Sequence, residues 1–147
     1  MSQKPFLKTI EVLLVEDSWG DVVLMRDAFR EKHLPVNLNI VTDGEDALAY
    51  LNREPKYVQH PKPDLILLDL NLPRMDGRAF LRRVKNHPRF KAIPVVVLTS
   101  SRLETDIREV FEMNADQYLV KPTDLKGFHE TARQLWQLWQ KHVAQKT

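Results

Sequence analysis

Short apolar runs alternate with longer amphipathic stretches along this chain of 147 residues. Three runs are rich in valine, isoleucine and leucine and each is followed by a polar residue; they occupy residues 11–15, 65–68 and 94–98. Continuous apolar runs of this length are typical of strands that are buried on both faces of a sheet. Weaker patterns predict two more strands, at residues 38–41 and 117–120.

Apolar residues at spacings of three and four predict a helix after each strand. In the first helix, Val22, Met25 and Phe29 form one stripe, and Ser18 with Asp21 resembles a capping box at its start. The stripes of the other four helices are Ala47, Leu48 and Leu51; Ala79, Phe80 and Val84; Ile107, Val110 and Phe111; and Leu125, Phe128, Ala132, Leu135 and Trp139. We expect the last helix to end near residue 142 and residues 52–63 to form a loop.

A strand followed by a helix, five times over, predicts an α/β fold with a parallel sheet and helices on both faces. The length of the chain suits one domain. We place this domain at residues 10–143, with short tails at 1–9 and 144–147.

Composition narrows the classes of function. The chain has 22 Lys and Arg against 20 Asp and Glu, and it carries no recognisable nucleic-acid-binding motif, so we expect no nucleic-acid partner. The densest basic cluster, Arg78, Arg82, Arg83 and Lys85, is interpreted as the exposed face of the third helix. The absence of cysteine excludes disulfides and thiolate metal sites. No leader and no apolar stretch of about 18 residues is recognisable, which predicts a cytoplasmic protein without a membrane partner.

Polar side chains follow four of the predicted strands. Glu16 and Asp17 follow the first, Asp69 the third, Thr99 ends the fourth, and Lys121 follows the fifth. The carboxyl ends of parallel strands meet at one edge of the sheet, where ligands bind. We therefore expect three carboxylates, a hydroxyl and an ammonium group to converge there.

Such a cluster needs positive charge, because neighbouring carboxylates repel one another. Mg²⁺ prefers hard oxygen ligands, and no cysteine or nearby histidine favours a softer metal. A carboxylate beside a metal ion can attack phosphorus. Because phosphoryl transfer depends on positioning and charge neutralisation, Lys121 and Thr99 are suited to hold the phosphoryl oxygens. The sequence thus predicts phosphoryl transfer to Asp69.

With these residues in this order, the chain resembles the receiver domain of bacterial response regulators over about residues 10–140. The resemblance implies a doubly wound, flavodoxin-like (βα)₅ fold with strand order 2-1-3-4-5. It implies that Asp69 is the phosphoacceptor and that Mg²⁺ is held by Asp17 and Asp69, by Glu16 through water, and by the backbone carbonyl of Asn71.

The resemblance also implies how the switch works. Thr99 and Lys121 contact the phosphoryl group, and Tyr118 is the aromatic switch residue of strand five. Phosphorylation then changes the surface formed by helix four, strand five and helix five. The Lys121–Pro122 peptide bond matches one that is often cis in the family.

The stretches LILLDLNLPRMDGR and IPVVVLTSS are most similar to small receivers of cyanobacterial and bacterial phytochrome kinases. This similarity implies a sensor histidine kinase, of the phytochrome type, as the phosphate donor. The expected output is a protein–protein contact or phosphate relay to another protein, with no enzymatic activity beyond self-catalysed phosphoryl transfer and dephosphorylation.

Other functions fit the pattern less well. A haloacid-dehalogenase-type phosphatase also uses an Asp nucleophile and Mg²⁺, but it requires a second Asp where this chain has Asn71. A receiver-like module that no longer takes phosphate is disfavoured by the complete acidic set. Nucleotide-binding motifs rich in glycine are missing from a chain with only four glycines.

Three tryptophans suggest further contacts. Trp136 and Trp139 lie on one side of the last helix, beside Leu135 and Leu138, and give it a wide apolar arc. We interpret this arc as a homodimer contact on the helix four, strand five and helix five face, or as a site for another partner protein, with core packing alone as the alternative. Trp19 is hypothesised to cover one side of the metal pocket; the alternative is an aromatic residue on the surface.

Overall fold

The computed structural model describes residues 8–146, which form a parallel sheet of five strands in the order β2-β1-β3-β4-β5. The strands are β1 (Ile10–Val15), β2 (Val36–Val41), β3 (Leu65–Leu68), β4 (Val95–Thr99) and β5 (Gln117–Val120). The helices are α1 (Trp19–Glu31), α2 (Gly44–Leu51), α3 (Gly77–Lys85), α4 (Glu104–Glu112) and α5 (Leu125–Lys146), and a 3₁₀ turn (Pro55–Tyr57) lies between α2 and β3. The predicted fold class and strand order are confirmed.

The central strands separate two hydrophobic cores. Successive side chains of a strand point to opposite faces of a sheet. Leu13 and Ile66 therefore pack with α2, α3 and α4, whereas Leu14 and Leu67 pack with α1 and α5. Because helices cover both faces, all positions of β3 and most positions of β1 are apolar, which explains the continuous apolar runs.

The edge strand β2 begins at Val36, earlier than predicted, where it pairs with Ile10. Its polar positions concealed this start. The side-chain amides of Asn37 and Asn39 donate to the carboxylate of Glu11 on β1, at 2.8 and 3.1 Å. Polar side chains are acceptable here because the edge strand is less buried than the central ones.

The last helix is longer than predicted and continues to Lys146. The residues after position 142 include neither glycine nor proline, so nothing in the sequence stops the helix. Trp136 and Trp139 are partly buried against the core on the α1 side of the sheet, so core packing accounts for part of their apolar arc. Within residues 8–146, no helix combines the length and the apolar character needed to cross a bilayer.

The prediction that the basic residues of α3 form an exposed face is wrong for Arg78. Its guanidinium pairs with two acids of α4, Asp106 at 2.8 Å and Glu109 at 2.5 Å. The α3 stripe alone could not show that a neighbouring helix presents two carboxylates to this position. Arg82 and Arg83 are exposed, as predicted.

The prediction is also wrong for Lys85, whose side chain is only 7% exposed. Its ammonium group donates to the carboxylate of Asp116 and to the carbonyl of Ile93, both at 2.8 Å. The aliphatic part of lysine can be buried when the charged end finds such partners. Lys85 therefore links the end of α3 to the loops that precede β4 and β5.

Candidate functional site

Three acids meet at the carboxyl edge of the sheet. Glu16 and Asp17 follow β1, and Asp69 follows β3. The strand pairing extends to the acids, because the N–H of Asp69 donates to the carbonyl of Val15 at 3.1 Å. One carboxylate oxygen from each acid lies within 4.8 Å of the others. Glu16 and Asp69 are buried and Asp17 is exposed, so the cluster opens to solvent on one side.

Lys121 joins this cluster from the end of β5. Its backbone N–H donates to the carbonyl of Thr99 at 2.8 Å, which fixes its position beside β4. Its ammonium group contacts Glu16 at 2.6 Å, Asp21 at 2.8 Å and Asp69 at 3.1 Å. Burial disfavours the charged form, but the hydrogen bonds to Asp21 and Glu16 and the charge of Asp69 outweigh it and raise the pKa of Lys121. The ammonium group is thus a permanent positive charge in the site.

Glu16 is the most enclosed of the acids. Burial raises the pKa of Glu16 to about 7, although hydrogen bonds from Lys121 and from the N–H of Ser18 act in the opposite direction. The Ser18 bond measures 3.0 Å. The negative charge of Asp69 adds to the effect of burial. Near neutral pH, the charge of Glu16 therefore responds to any additional positive charge in the site.

Thr99 ends β4 with a fully buried side chain. Among residues 8–146, its hydroxyl oxygen is one of two buried side-chain polar atoms that have no hydrogen-bond partner. A buried hydroxyl without a partner costs about 1–3 kcal/mol. Three clustered carboxylates and this unpaired hydroxyl form a set of hard oxygen donors, which fits a divalent cation with an oxygen-rich ligand.

The loop after Asp69 lies close to the acid. The N–H of Asn71 donates to the Asp69 carboxylate at 3.2 Å. Gly77 begins α3, and a Cβ atom there would collide with the backbone of Asp69 and Leu70. Glycine thus allows α3 to start directly against this loop. The N–H of Gly77 also donates to the carbonyl of Leu70 at 3.0 Å.

Tyr118 connects β5 to the loop that follows Thr99. It is half-buried, and its hydroxyl donates to the carbonyl of Ser101 at 2.8 Å. The hydroxyl of Ser101 in turn donates to Asp106 of α4 at 2.6 Å. The aromatic side chain and α4 are therefore both connected to the loop beside the site.

Two expectations about residues near the site differ from the structure. The Lys121–Pro122 bond is not cis, and residues 8–146 contain no cis peptide bond; trans is the lower-energy form even before proline. Trp19 is 64% exposed and lies with the guanidinium carbon of Arg26 5.7 Å from its ring centre. This arrangement corresponds to the surface alternative for Trp19.

Asp21 is the site residue that sequence analysis missed. Ser18 does cap α1, because its hydroxyl accepts from the N–H of Asp21 at 3.3 Å. The Asp21 side chain, however, contacts Lys121 instead of completing a capping box. The sequence did offer one signal. Asp21 lies in the first turn of a helix that begins just after a strand, close to the edge of the sheet where ligands bind.

The sequence model of a family described as the response regulator receiver domain matches residues 12–133. The chain belongs to this receiver family. It is 40% identical over 128 residues to the response regulator Rcp1 of Synechocystis, which covers 87% of each chain. A crystal structure of the phosphorylated cyanobacterial phytochrome response regulator RcpA superposes with a TM-score of 0.82 at 38% identity and covers 88% of this chain and 93% of that one. The crystal structure of the Mn²⁺-bound form of the response regulator Rcp1 superposes with a TM-score of 0.81 at 39% identity and covers 88% of this chain and 94% of that one.

Membership of the family settles the class of function. Receiver domains of response regulators are phosphoacceptor signalling switches, and the response regulators of phytochrome systems act with sensor histidine kinases. They bind a divalent metal, and this receiver has an acidic cluster at the corresponding edge of the sheet. The comparisons give no support to the phosphatase alternative.

Proposed function

We propose that this receiver accepts a phosphoryl group on Asp69 in a Mg²⁺-dependent reaction. The observation that carries the proposal is the cluster of three carboxylates with Lys121 hydrogen-bonded to two of them. Asp69 is the best placed acceptor. Of the two clustered acids that contact the ammonium group, Asp69 is the less enclosed, with 8% of its side chain exposed against 3% for Glu16. Asp17 does not contact the ammonium group within the described hydrogen bonds and ion pairs.

Asp17 and Asp69 are the proposed direct metal ligands, with Glu16 acting through water and Asn71 through its backbone carbonyl. This assignment is supported by the spacing of the carboxylate oxygens and by the preference of Mg²⁺ for one or two carboxylates together with water. The bound ion supplies positive charge that offsets the repulsion between the acids and the phosphoryl oxygens. The proposal is specific for a hard cation, since the cluster contains no nitrogen or sulfur ligand.

The chemistry is a direct displacement at phosphorus. An oxygen of Asp69 forms the new P–O bond while the P–N bond of a phosphohistidine breaks, and the imidazole nitrogen keeps the bonding electrons. A carboxylate needs no general base, unlike a hydroxyl nucleophile. Lys121 neutralises a phosphoryl oxygen, and the hydroxyl of Thr99 donates to another. Water later cleaves the acyl phosphate in the same site.

The proposed switch depends on the hydroxyl of Thr99, which has no hydrogen-bond partner among residues 8–146. When its hydroxyl turns toward a phosphoryl oxygen, the loop beyond it moves and Tyr118 follows, because that side chain is bonded to the carbonyl of Ser101. Of the two conformations of the receiver, the phosphoryl group stabilises the one in which it makes better contacts. Phosphorylation therefore changes the populations of the two conformations of the α4–β5–α5 surface. Self-association through this surface, with Trp136 and Trp139, stays a prediction, as does the cytoplasmic location.

Incubation with acetyl phosphate and Mg²⁺ tests the central proposal. Intact mass spectrometry should show a gain of about 80 Da, the mass of an added PO₃H group, on the carboxylate nucleophile. The gain should disappear in Asp69→Asn and after chelation of the metal, and should persist in Asp27→Asn, which makes the same change on the far part of α1. A gain that survives in Asp69→Asn would contradict the assignment.

A phytochrome-type kinase is the proposed donor, because the receiver resembles Rcp1 and the phytochrome response regulator RcpA. A purified, radiolabelled phytochrome kinase should transfer its label to this protein faster than a chemotaxis kinase does. Equal transfer from both kinases would remove the phytochrome assignment and leave the receiver function intact.

A further inference from the structure

We propose that Asp21 is a positioning residue that holds Lys121 against the phosphoacceptor. This inference rests on the function proposed above. Its basis is the set of three carboxylates around one ammonium group, namely those of Glu16, Asp21 and Asp69. An ammonium group has three N–H donors, so each of them has one acidic partner.

The three partners lie at different depths. The side chains of Glu16 and Asp69 are 3% and 8% exposed, that of Lys121 is 11% exposed, and that of Asp21 is 30% exposed. Asp21 therefore contacts Lys121 from the solvent side of the site. Glu16 and Asp69 contact the same ammonium group from the buried side.

The partners also differ in what else they must bind. Glu16 and Asp69 belong to the acidic cluster, and a cation held there would compete with the ammonium group for their negative charge. Asp21 is not part of that cluster, so its carboxylate remains available to Lys121 when the metal is bound. Without it, Lys121 would have one acidic partner fewer at the stage at which its charge is needed.

The attachment starts from a rigid element. Asp21 lies in the first turn of α1, where its N–H is bonded to Ser18, and the next residue, Val22, is buried in the core. The lysine side chain has about 2 kcal/mol of rotamer entropy to lose when it is fixed. Contact with Asp21 restricts the side-chain conformation of Lys121 before the phosphoryl group arrives. A charged group that is already fixed in position stabilises the transition state of phosphoryl transfer better than a mobile one.

A double-mutant cycle between Asp21 and Lys121 tests the inference. Phosphorylation by acetyl phosphate is measured at saturating Mg²⁺, and the donor concentration is varied to separate the maximal rate from the half-saturating concentration. Asp21→Ala should lower the maximal rate about three- to tenfold. Asp21→Asn, which keeps an oxygen acceptor, should lose less. In a Lys121→Met background, Asp21→Ala should change the rate by less than about twofold.

The same double-mutant cycle is then measured on thermal stability, in the absence of phosphorylation. In EDTA, Asp21→Ala should lower the unfolding temperature of the parent, and it should leave that of Lys121→Met unchanged or raise it, because the remaining carboxylates repel one another. Asp27→Ala removes a carboxylate that pairs with Arg30 at 3.8 Å on the same helix, so it should change neither the rate nor the cycle.

The outcomes separate the two proposals. A parent protein that takes no phosphoryl group would remove the proposed function and this inference with it. A parent that reacts normally would overturn the inference alone if Asp21→Ala left its rate unchanged, or slowed the parent and Lys121→Met equally. Equal losses in both backgrounds would show that Asp21 acts by its general charge or through folding, and not through Lys121.

Discussion

Glu16 should make the metal-free protein less stable as pH rises, and replacing it with glutamine should remove that effect. The carboxylate is 3% exposed, and its pKa is raised from 4.5 to about 7 in the folded protein, with burial as the main cause. The folded state therefore binds this proton more tightly than the unfolded state does. Stability from this group is present at low pH and is lost as pH rises from about 4.5 to about 7.

The size of the loss follows from the two pKa values. At about 1.4 kcal/mol per pH unit, the interval from 4.5 to about 7 corresponds to about 3 kcal/mol. In Glu16→Gln, the amide must place its NH₂ group against either Lys121 or the N–H of Ser18, since the carboxylate accepts from both. That cost does not depend on pH. It shifts the free energy of unfolding of the variant by the same amount at every pH. The prediction concerns only how the free energy of unfolding changes with pH.

Urea unfolding in EDTA between pH 4.5 and 8 measures both proteins. The free energy of unfolding of the parent, minus that of Glu16→Gln, should fall by up to about 3 kcal/mol across this range. Contributions of the five histidines cancel in the difference, since both proteins carry them. Saturating Mg²⁺ should flatten the curve, because a nearby cation favours the ionised carboxylate. A difference that is flat or rising with pH in EDTA would refute the reasoning.

Two further substitutions test individual side chains. Thr99→Val removes a buried hydroxyl that has no partner among residues 8–146, so the free energy of unfolding of the metal-free protein should be unchanged or higher by about 1 kcal/mol. Phosphorylation of this variant by acetyl phosphate should be slower. A clear loss of stability in urea would show that the hydroxyl has a partner. Lys85→Met should cost about 1–3 kcal/mol in urea unfolding, because the carbonyl of Ile93 loses this donor and Asp116 keeps only the N–H of Val95. The exposed neighbour Arg83→Met should stay within about 0.5 kcal/mol of the parent, and equal losses would contradict the role of Lys85.

The acidic cluster was accessible from the sequence because each member directly follows a strand. Strand ends in a parallel sheet converge by rule, so the positions of Glu16, Asp17 and Asp69 follow once the strands are assigned. Asp21 lies on a helix, and its partner is 100 residues away along the chain. No periodicity relates two such positions.

The same limit explains the errors on α3. Helical periodicity separates apolar from polar positions, but it does not distinguish a solvated charge from one that meets a neighbouring helix. Arg78 differs from Arg82 only because α4 places Asp106 and Glu109 beside it.

The sequence by itself determined the order of strands and helices, the parallel sheet and the set of acids at its edge, because these depend on local periodicity and on general rules for connecting strands. Only the tertiary structure decided which acids bind Lys121, how deeply Glu16 is buried, and that the hydroxyl of Thr99 has no partner among residues 8–146. Those properties depend on distances between segments far apart in the chain, and differences of a few ångströms there decide whether two groups interact.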